Sequence, residues 1–162
     1  MNQRHHRHAW VRQRSRLAQA VGLGLVALIA TAGCTGPVRS DGVYASKAAA
    51  TAEAAASAVE TAQLAVQEAA AGELFGRSLA QTLAEAASDA GDAQATFDAI
   101  QPPDRRSKVL RGQLDRLLTP AASVLADLRI AARWGDTAAL PRLAAPLPKL
   151  AEEFQRFEEA CR

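Results

Sequence analysis

Apolar and alanine residues recur at alternating steps of three and four along residues 43–161, in four successive segments. In the first segment the repeating positions are Ala45, Ala48, Ala52, Ala55, Val59, Ala62, Val66 and Ala69, and in the second they are Leu79, Leu83, Ala86, Ala90, Ala93, Phe97 and Ile100. The third segment repeats at Leu110, Leu114, Leu117, Ala121, Val124, Leu128 and Ala131, and the fourth at Leu140, Leu143, Leu147, Leu150, Phe154, Phe157 and Cys161. This spacing gives each helix one apolar face. Four such helices on short connections predict an all-α fold, an antiparallel four-helix bundle.

The ends of the helices are predicted from the glycine, proline and capping residues that separate the segments. Gly72 suits the C-terminal end of the first helix, although one long helix across Gly72 is an alternative because a seven-residue spacing continues through it. The pair Pro102-Pro103 ends the second helix, and Asp136 is an N-cap for the fourth. The predicted helices cover residues of about 43–71, 73–100, 104–134 and 137–161.

Proline and alanine modify this bundle in different ways. Pro120 lies inside the third segment and predicts a kink, while Pro141, Pro146 and Pro148 predict an irregular or bent stretch over residues 137–147. The first helix holds 13 alanines within residues 48–71. Alanine favours helix but has little surface to bury, so this helix approaches its neighbours closely and contributes less hydrophobic stabilisation than the leucine-rich segments.

Charge is distributed unevenly along the chain. The whole chain has 19 basic and 17 acidic side chains, but residues 1–33 hold five arginines and no acid, which leaves 14 basic and 17 acidic side chains after residue 33. The basic balance therefore belongs to the N-terminal segment, and the overall charge of the rest gives no support to nucleic-acid binding. Residues 41–100 carry 9 acids and 2 bases, whereas residues 101–142 carry 8 bases and 4 acids, which favours packing of an acidic helix pair against a basic helix.

The N-terminal segment has the order of an export signal. A basic stretch precedes the uncharged residues 17–33, whose apolar centre at 21–30 is shorter than the ~20 residues of a membrane-spanning helix. The small residues Thr31, Ala32 and Gly33 then lead directly to Cys34. This order resembles the lipobox of bacterial lipoproteins, with Thr31 where that family usually has leucine.

The resemblance implies that Cys34 carries a lipid and that the chain is cut before it. It also implies a protein anchored at the extracytoplasmic face of the cell membrane. Residues 1–33 are then a signal peptide, residues 34–42 a flexible tether and residues 43–162 the helical bundle. An uncleaved signal anchor that keeps residues 1–33 is the alternative, and ordinary secretion is a third.

Catalytic chemistry has few candidate residues. After residue 33 the sequence contains no histidine and no asparagine, which excludes Ser-His-Asp and Cys-His arrangements, histidine metal sites and histidine acid–base catalysis there. Glu85, Asp89 and Asp92 share one helical face, which we interpret as a solvated acidic face and not as a metal site. We therefore expect no enzyme, no cofactor and no metal.

Three other features of the sequence are candidate sites. A basic cluster surrounds the start of the third helix, and we interpret it as a solvated face paired with the acidic helices, with a lipid headgroup or anionic polymer as the alternative ligand. Tyr44 and Trp134 are interpreted as end-caps of the bundle. Cys161 is interpreted as a buried thiol, with pairing to another chain, or to Cys34 if that cysteine is free, as alternatives. The basic cluster consists of Arg105, Arg106, Lys108, Arg111 and Arg116.

These observations predict a small exported lipoprotein whose helical domain is a non-catalytic binding or structural module. Its composition is similar to that of the short alanine-rich helical lipoproteins of high-GC Gram-positive bacteria. The expected partners are the membrane, through lipidated Cys34, and an envelope protein or an anionic polymer. The alternatives are an uncleaved, signal-anchored spacer and a carrier that holds an apolar ligand between its helices.

Overall fold

A computed structural model describes residues 40–162, and the regular structure in this part of the chain is entirely helical. Five helices follow each other: α1 (Asp41–Ala71), α2 (Gly76–Asp98), α3 (Arg105–Trp134), the five-residue α4 (Leu140–Ala144) and α5 (Leu147–Cys161). The all-α prediction with four long helices is confirmed. None of the helices in the described range has both the length and the hydrophobicity needed to cross a membrane.

Helix α1 begins at Asp41, two residues earlier than the sequence pattern predicted. The Ser40 hydroxyl caps the helix by accepting a hydrogen bond from the Val43 N–H at 3.3 Å. The Asp41 carboxylate lies in the first turn, where its negative charge interacts favourably with the positive end of the helix dipole. The helix ends at Gly72, whose φ of 78° is the left-handed conformation that glycine adopts without strain. Helices α1 and α2 are therefore separate.

The core lies on the predicted apolar faces, and every position of the four stripes is buried or half-buried. Helix α1 packs against α2, α3 and α5, and α2 packs against α3. Because its buried face is mostly alanine, α1 approaches three neighbours closely. Tyr44, Phe97 and Phe154 are the largest side chains that are fully buried.

The buried face of α3 is rotated relative to the predicted one. Leu118 and Leu125, which lie outside the predicted stripe, are at most 2% exposed, whereas Leu110, Leu117 and Val124, which lie within it, are only half-buried. The fully buried row continues with Ala121 and Leu128 to Ala132. The sequence pattern was therefore right about the helix and partly wrong about which residues face the core.

The prolines occupy different helical positions. Helix α3 continues through Pro120 from Arg105 to Trp134. The fourth predicted helix, about 137–161 with an irregular or bent stretch over 137–147, is a turn at 137–139 followed by α4 and α5, with Pro146 as the last residue before α5. Pro141 and Pro148 each lie in the first turn of a helix, where the N–H that proline lacks has no partner within the helix.

Candidate functional site

The lipid attachment residue predicted from the sequence, Cys34, lies outside the described residues, as do residues 1–33 and most of the predicted tether. The first residue that the structure places is Ser40, the N-cap of α1. The lipoprotein prediction consequently depends on the sequence alone.

The basic cluster predicted at the start of α3 divides into two kinds of residue. Asp104 caps the helix, because its carboxylate accepts a hydrogen bond from the Ser107 N–H at 2.7 Å, and this bond lowers the pKa of the carboxyl. Arg105, Arg106 and Lys108 are exposed in the first turn. Arg106 lies 3.9 Å from the Asp41 carboxylate, but both side chains are largely exposed, so this pair contributes little to stability.

Arg111 is directed into the protein. Its Nε donates to the Tyr44 hydroxyl at 3.0 Å, and one terminal nitrogen donates to the backbone carbonyls of Phe97, Asp98 and Ile100. The other terminal nitrogen lies 3.8 Å from the Asp98 carboxylate. The guanidinium carbon is also 5.4 Å from the centre of the Phe97 ring, within the range of a cation–π interaction.

These contacts make Arg111 a clamp between three helices. The carbonyls at the C-terminal end of α2 have no partners within the helix, and a cation there is favoured by the helix dipole. The Tyr44 ring packs against Phe97 with 5.2 Å between ring centres, so Tyr44 of α1 and Arg111 of α3 both contact the last turn of α2. Arg111 is therefore engaged in the fold and is not available as part of an anion-binding surface.

The remaining members of the cluster are candidates for anion binding. Arg105, Lys108 and Arg116 are exposed, and no carboxylate of the described chain lies within 4.0 Å of them. Burial raises the pKa of Asp115, next to Arg116, and repulsion from Asp98 raises it further. The local surface is thus mixed in charge. Of the five basic residues of the cluster, Arg105, Lys108 and Arg116 are exposed and have no described ion pair.

The two predicted end-caps have different environments. Tyr44 is fully buried, and its hydroxyl is satisfied by Arg111, as expected of a residue that closes the end of a bundle. Trp134 is 81% exposed, so the end-cap interpretation is wrong for it. An exposed tryptophan is a common anchor of protein interfaces.

The acidic side chains expected to form a solvated face are exposed. Glu85, Asp89 and Asp92 all point to solvent, and Glu85 accepts a hydrogen bond from the Gln81 amide at 2.9 Å. Within residues 40–162 no three histidine, cysteine, aspartate or glutamate side chains are close enough to hold a metal ion.

A surface cleft of about 530 Å³ lies between the first turns of α1 and α3 and the end of α5. Leu110 and Phe157 supply apolar walls, while Asp41 and Arg106 supply charges. Cys161 also lines it, half-buried, and burial raises the pKa of its thiol. A second, smaller cleft of about 180 Å³ lies between the end of α1 and residues 137–141.

Comparison with protein-family models, with curated proteins and with solved structures finds no match to this chain. Its function is therefore argued from its own residues. The described surface has mixed charge near the start of α3 and an exposed tryptophan, Trp134, at its end.

Proposed function

We propose that this chain is an exported lipoprotein, anchored through Cys34 and carrying a non-catalytic helical module that binds another component of the cell envelope. The observation that carries the proposal is the order of a basic segment, an uncharged apolar segment, three small residues and Cys34. Two or three acyl chains hold a protein firmly in a bilayer, since each buried CH₂ contributes about 0.8 kcal/mol.

The distance between the anchor and the module follows from the covalent chain. Six residues lead from Cys34 to Ser40, where α1 is capped, and an extended chain spans at most about 3.5 Å per residue. The start of α1 would therefore lie within about 20 Å of the lipid-bearing residue. The module would be held close to the membrane surface by its first helix.

We further propose that the four long helices run antiparallel. Three contacts support this arrangement: Tyr44 at the start of α1 packs against Phe97 at the end of α2, Arg111 near the start of α3 reaches both, and one cleft joins the starts of α1 and α3 to the end of α5. The prolines would bend the second half, at Pro120 and between α4 and α5.

Pairs of spin labels test the antiparallel arrangement. Labels at Ser46→Cys and Ala99→Cys, both exposed, should lie within about 20 Å of each other in a Cys161→Ser background. Labels at Ser46→Cys and Arg77→Cys should be at least about 30 Å apart, because the rise of α1 separates them. The reverse order of distances would contradict the antiparallel arrangement.

A binding module is favoured over a carrier of apolar ligands because the interior is filled. The residues between the helices are packed to exposures of a few per cent, and the larger of the two clefts described above is open and partly charged. Exposed apolar side chains are available at the surface instead, including Leu64, Phe75 and Trp134.

Intact mass spectrometry of the protein extracted from membranes tests the anchor. The expected product begins at Cys34 and carries the mass of a diacylglyceryl group, with or without an N-acyl chain. Cys34→Ser should keep residues 1–33 and lack the lipid, whereas the matched variant Cys161→Ser should be processed and acylated normally. Recovery of the natural chain with residues 1–33 attached would favour the signal-anchored spacer, and an unacylated chain starting at Cys34 would also overturn the proposal.

A further inference from the structure

The last two turns of α3 carry an exposed surface of apolar and basic side chains. Ile130 is 49% and Trp134 is 81% exposed, and residues four apart lie on the same face of a helix. Arg129 and Arg133 are exposed beside them, and neither lies within 4.0 Å of a carboxylate in the described chain. We call these four residues the α3 stripe.

Helix α1 carries an exposed surface of complementary chemistry. Leu64 is 56% exposed, and Glu60 and Glu68 precede and follow it by four residues, on the same face. Glu60 is exposed, with one carboxylate oxygen accepting a hydrogen bond from the Gln155 amide at 2.9 Å, and Glu68 is half-buried. The only basic residue of α1 is Lys47, more than three turns away. We call Glu60, Leu64 and Glu68 the α1 stripe.

The two stripes carry opposite charges at different spacings. Glu60 and Glu68 are about 12 Å apart along the helix axis, with Leu64 midway, and Arg129 and Arg133 are about 6 Å apart. Long arginine side chains can span the difference, which leaves Ile130 and Trp134 opposite Leu64. Tryptophan and arginine are the residue types that carry most energy in protein interfaces.

Both stripes are open to a partner. Helix α1 contacts α3 within one molecule, and Leu64, Ile130 and Trp134 nevertheless remain at least 49% exposed. We infer that the α3 stripe of one copy packs on the α1 stripe of a second copy of this chain. The contact is heterologous, since it joins two different surfaces. The inference extends the proposed binding role and rests on it, but the contact itself does not require acylation of Cys34.

A disulfide formed between two copies in intact cells tests this contact. Two differently tagged full-length chains, both carrying Cys161→Ser, are expressed together, one with Leu64→Cys and the other with Ile130→Cys. After mild oxidation, mass spectrometry should detect a disulfide between the introduced cysteines. In the matched control Val43→Cys replaces Ile130→Cys, because Val43 is also 49% exposed, and the yield should fall at least about fivefold. Since only the disulfide joining the two introduced cysteines is counted, the result is independent of whether Cys34 is acylated.

Charge reversal separates a specific contact from a loss of folding. Arg133→Glu in the copy with Ile130→Cys should reduce the disulfide at least about fivefold, and Glu68→Lys in the other copy should restore it. Equal yields at the test and control positions, or charge reversal without rescue, would overturn the inference. Capture of a different envelope protein at Ile130→Cys, without the disulfide between copies, would overturn it as well.

Discussion

The Arg111 clamp gives the most quantitative prediction for this fold. Arg111→Met keeps much of the apolar stem but removes the hydrogen bonds to Tyr44 and Ile100 and the pairing with Asp98. The side chain of Arg111 is only 24% exposed, so solvent screens these contacts weakly. Hydrogen bonds to a charged group contribute about 1.5–3 kcal/mol each, and the Tyr44 hydroxyl would be left buried without a partner.

Relief of the cost of burying the guanidinium offsets part of this loss. We therefore expect Arg111→Met to reduce the free energy of unfolding by about 2–4 kcal/mol. For a domain of this size that loss corresponds to a fall in Tm of roughly 8–15 °C. The helical content of the folded state should stay the same, because the clamp joins helices and does not form them.

Thermal and urea unfolding, followed by circular dichroism at 222 nm, measure this effect. The described residues 40–162 belong to one compact unit, so a segment of residues 37–162 is suitable for the measurement. Arg105→Met is the matched control, because Arg105 is exposed near the start of the same helix and has no described ion pair. It should change the free energy of unfolding by less than about 0.5 kcal/mol.

A double-mutant cycle with Tyr44→Phe isolates the contact between the two side chains. Tyr44→Phe removes only the hydroxyl that Arg111 Nε contacts at 3.0 Å. It should destabilise the natural protein by about 1 kcal/mol and the Arg111→Met variant by much less. Equal costs in both backgrounds, or an Arg111→Met variant as stable as Arg105→Met, would refute the clamp.

Five further outcomes are expected in unfolding and labelling assays of the same segment. Gly72→Ala should destabilise by about 1–2 kcal/mol because its φ is positive, while Gly91→Ala, inside α2 with open space around it, should stabilise by about 0.5–1 kcal/mol. The pKa of Asp104 is lowered in the fold, so its contribution is present above the unfolded-state pKa and is lost as the pH falls through the folded-state value. Asp104→Asn, which keeps the cap, should therefore flatten the decline in Tm below about pH 4. The pKa of Asp115 is raised by burial, so its charge opposes folding at neutral pH, and Asp115→Asn should raise Tm at pH 7 but not at pH 3. Alkylation of Cys161 at pH 8 should be slower in the folded segment than after denaturation, because burial raises the pKa of its thiol; equal rates would contradict this.

The sequence predicted the helices well because helix formation is mostly local. The apolar spacing and the residues that end a helix lie within each segment, and a glycine such as Gly72 acts within one turn. The sequence did not predict that Arg111 points into the protein, because a charged side chain is usually exposed to solvent. A signal was nevertheless present: Ser107, Arg111 and Leu114 are spaced by four and three, in the row that continues to the buried Leu118. The exposure of Trp134 had no local signal, since it depends on whether another helix covers the end of α3.

The two ends of helix α1 have different physical roles. Near Ser40, Tyr44 contacts Arg111 and Phe97, so the end nearest to the proposed anchor is attached to α2 and α3 by non-covalent contacts. Farther along, α1 buries mainly alanine, which contributes less hydrophobic energy per residue than leucine, and packing against α2, α3 and α5 offsets this. Leu64 lies 23 residues after Asp41, about 35 Å along the axis. In a chain anchored at Cys34, a contact between copies at Leu64 would therefore form well away from the attachment point, on a helix whose other end the clamp keeps fixed.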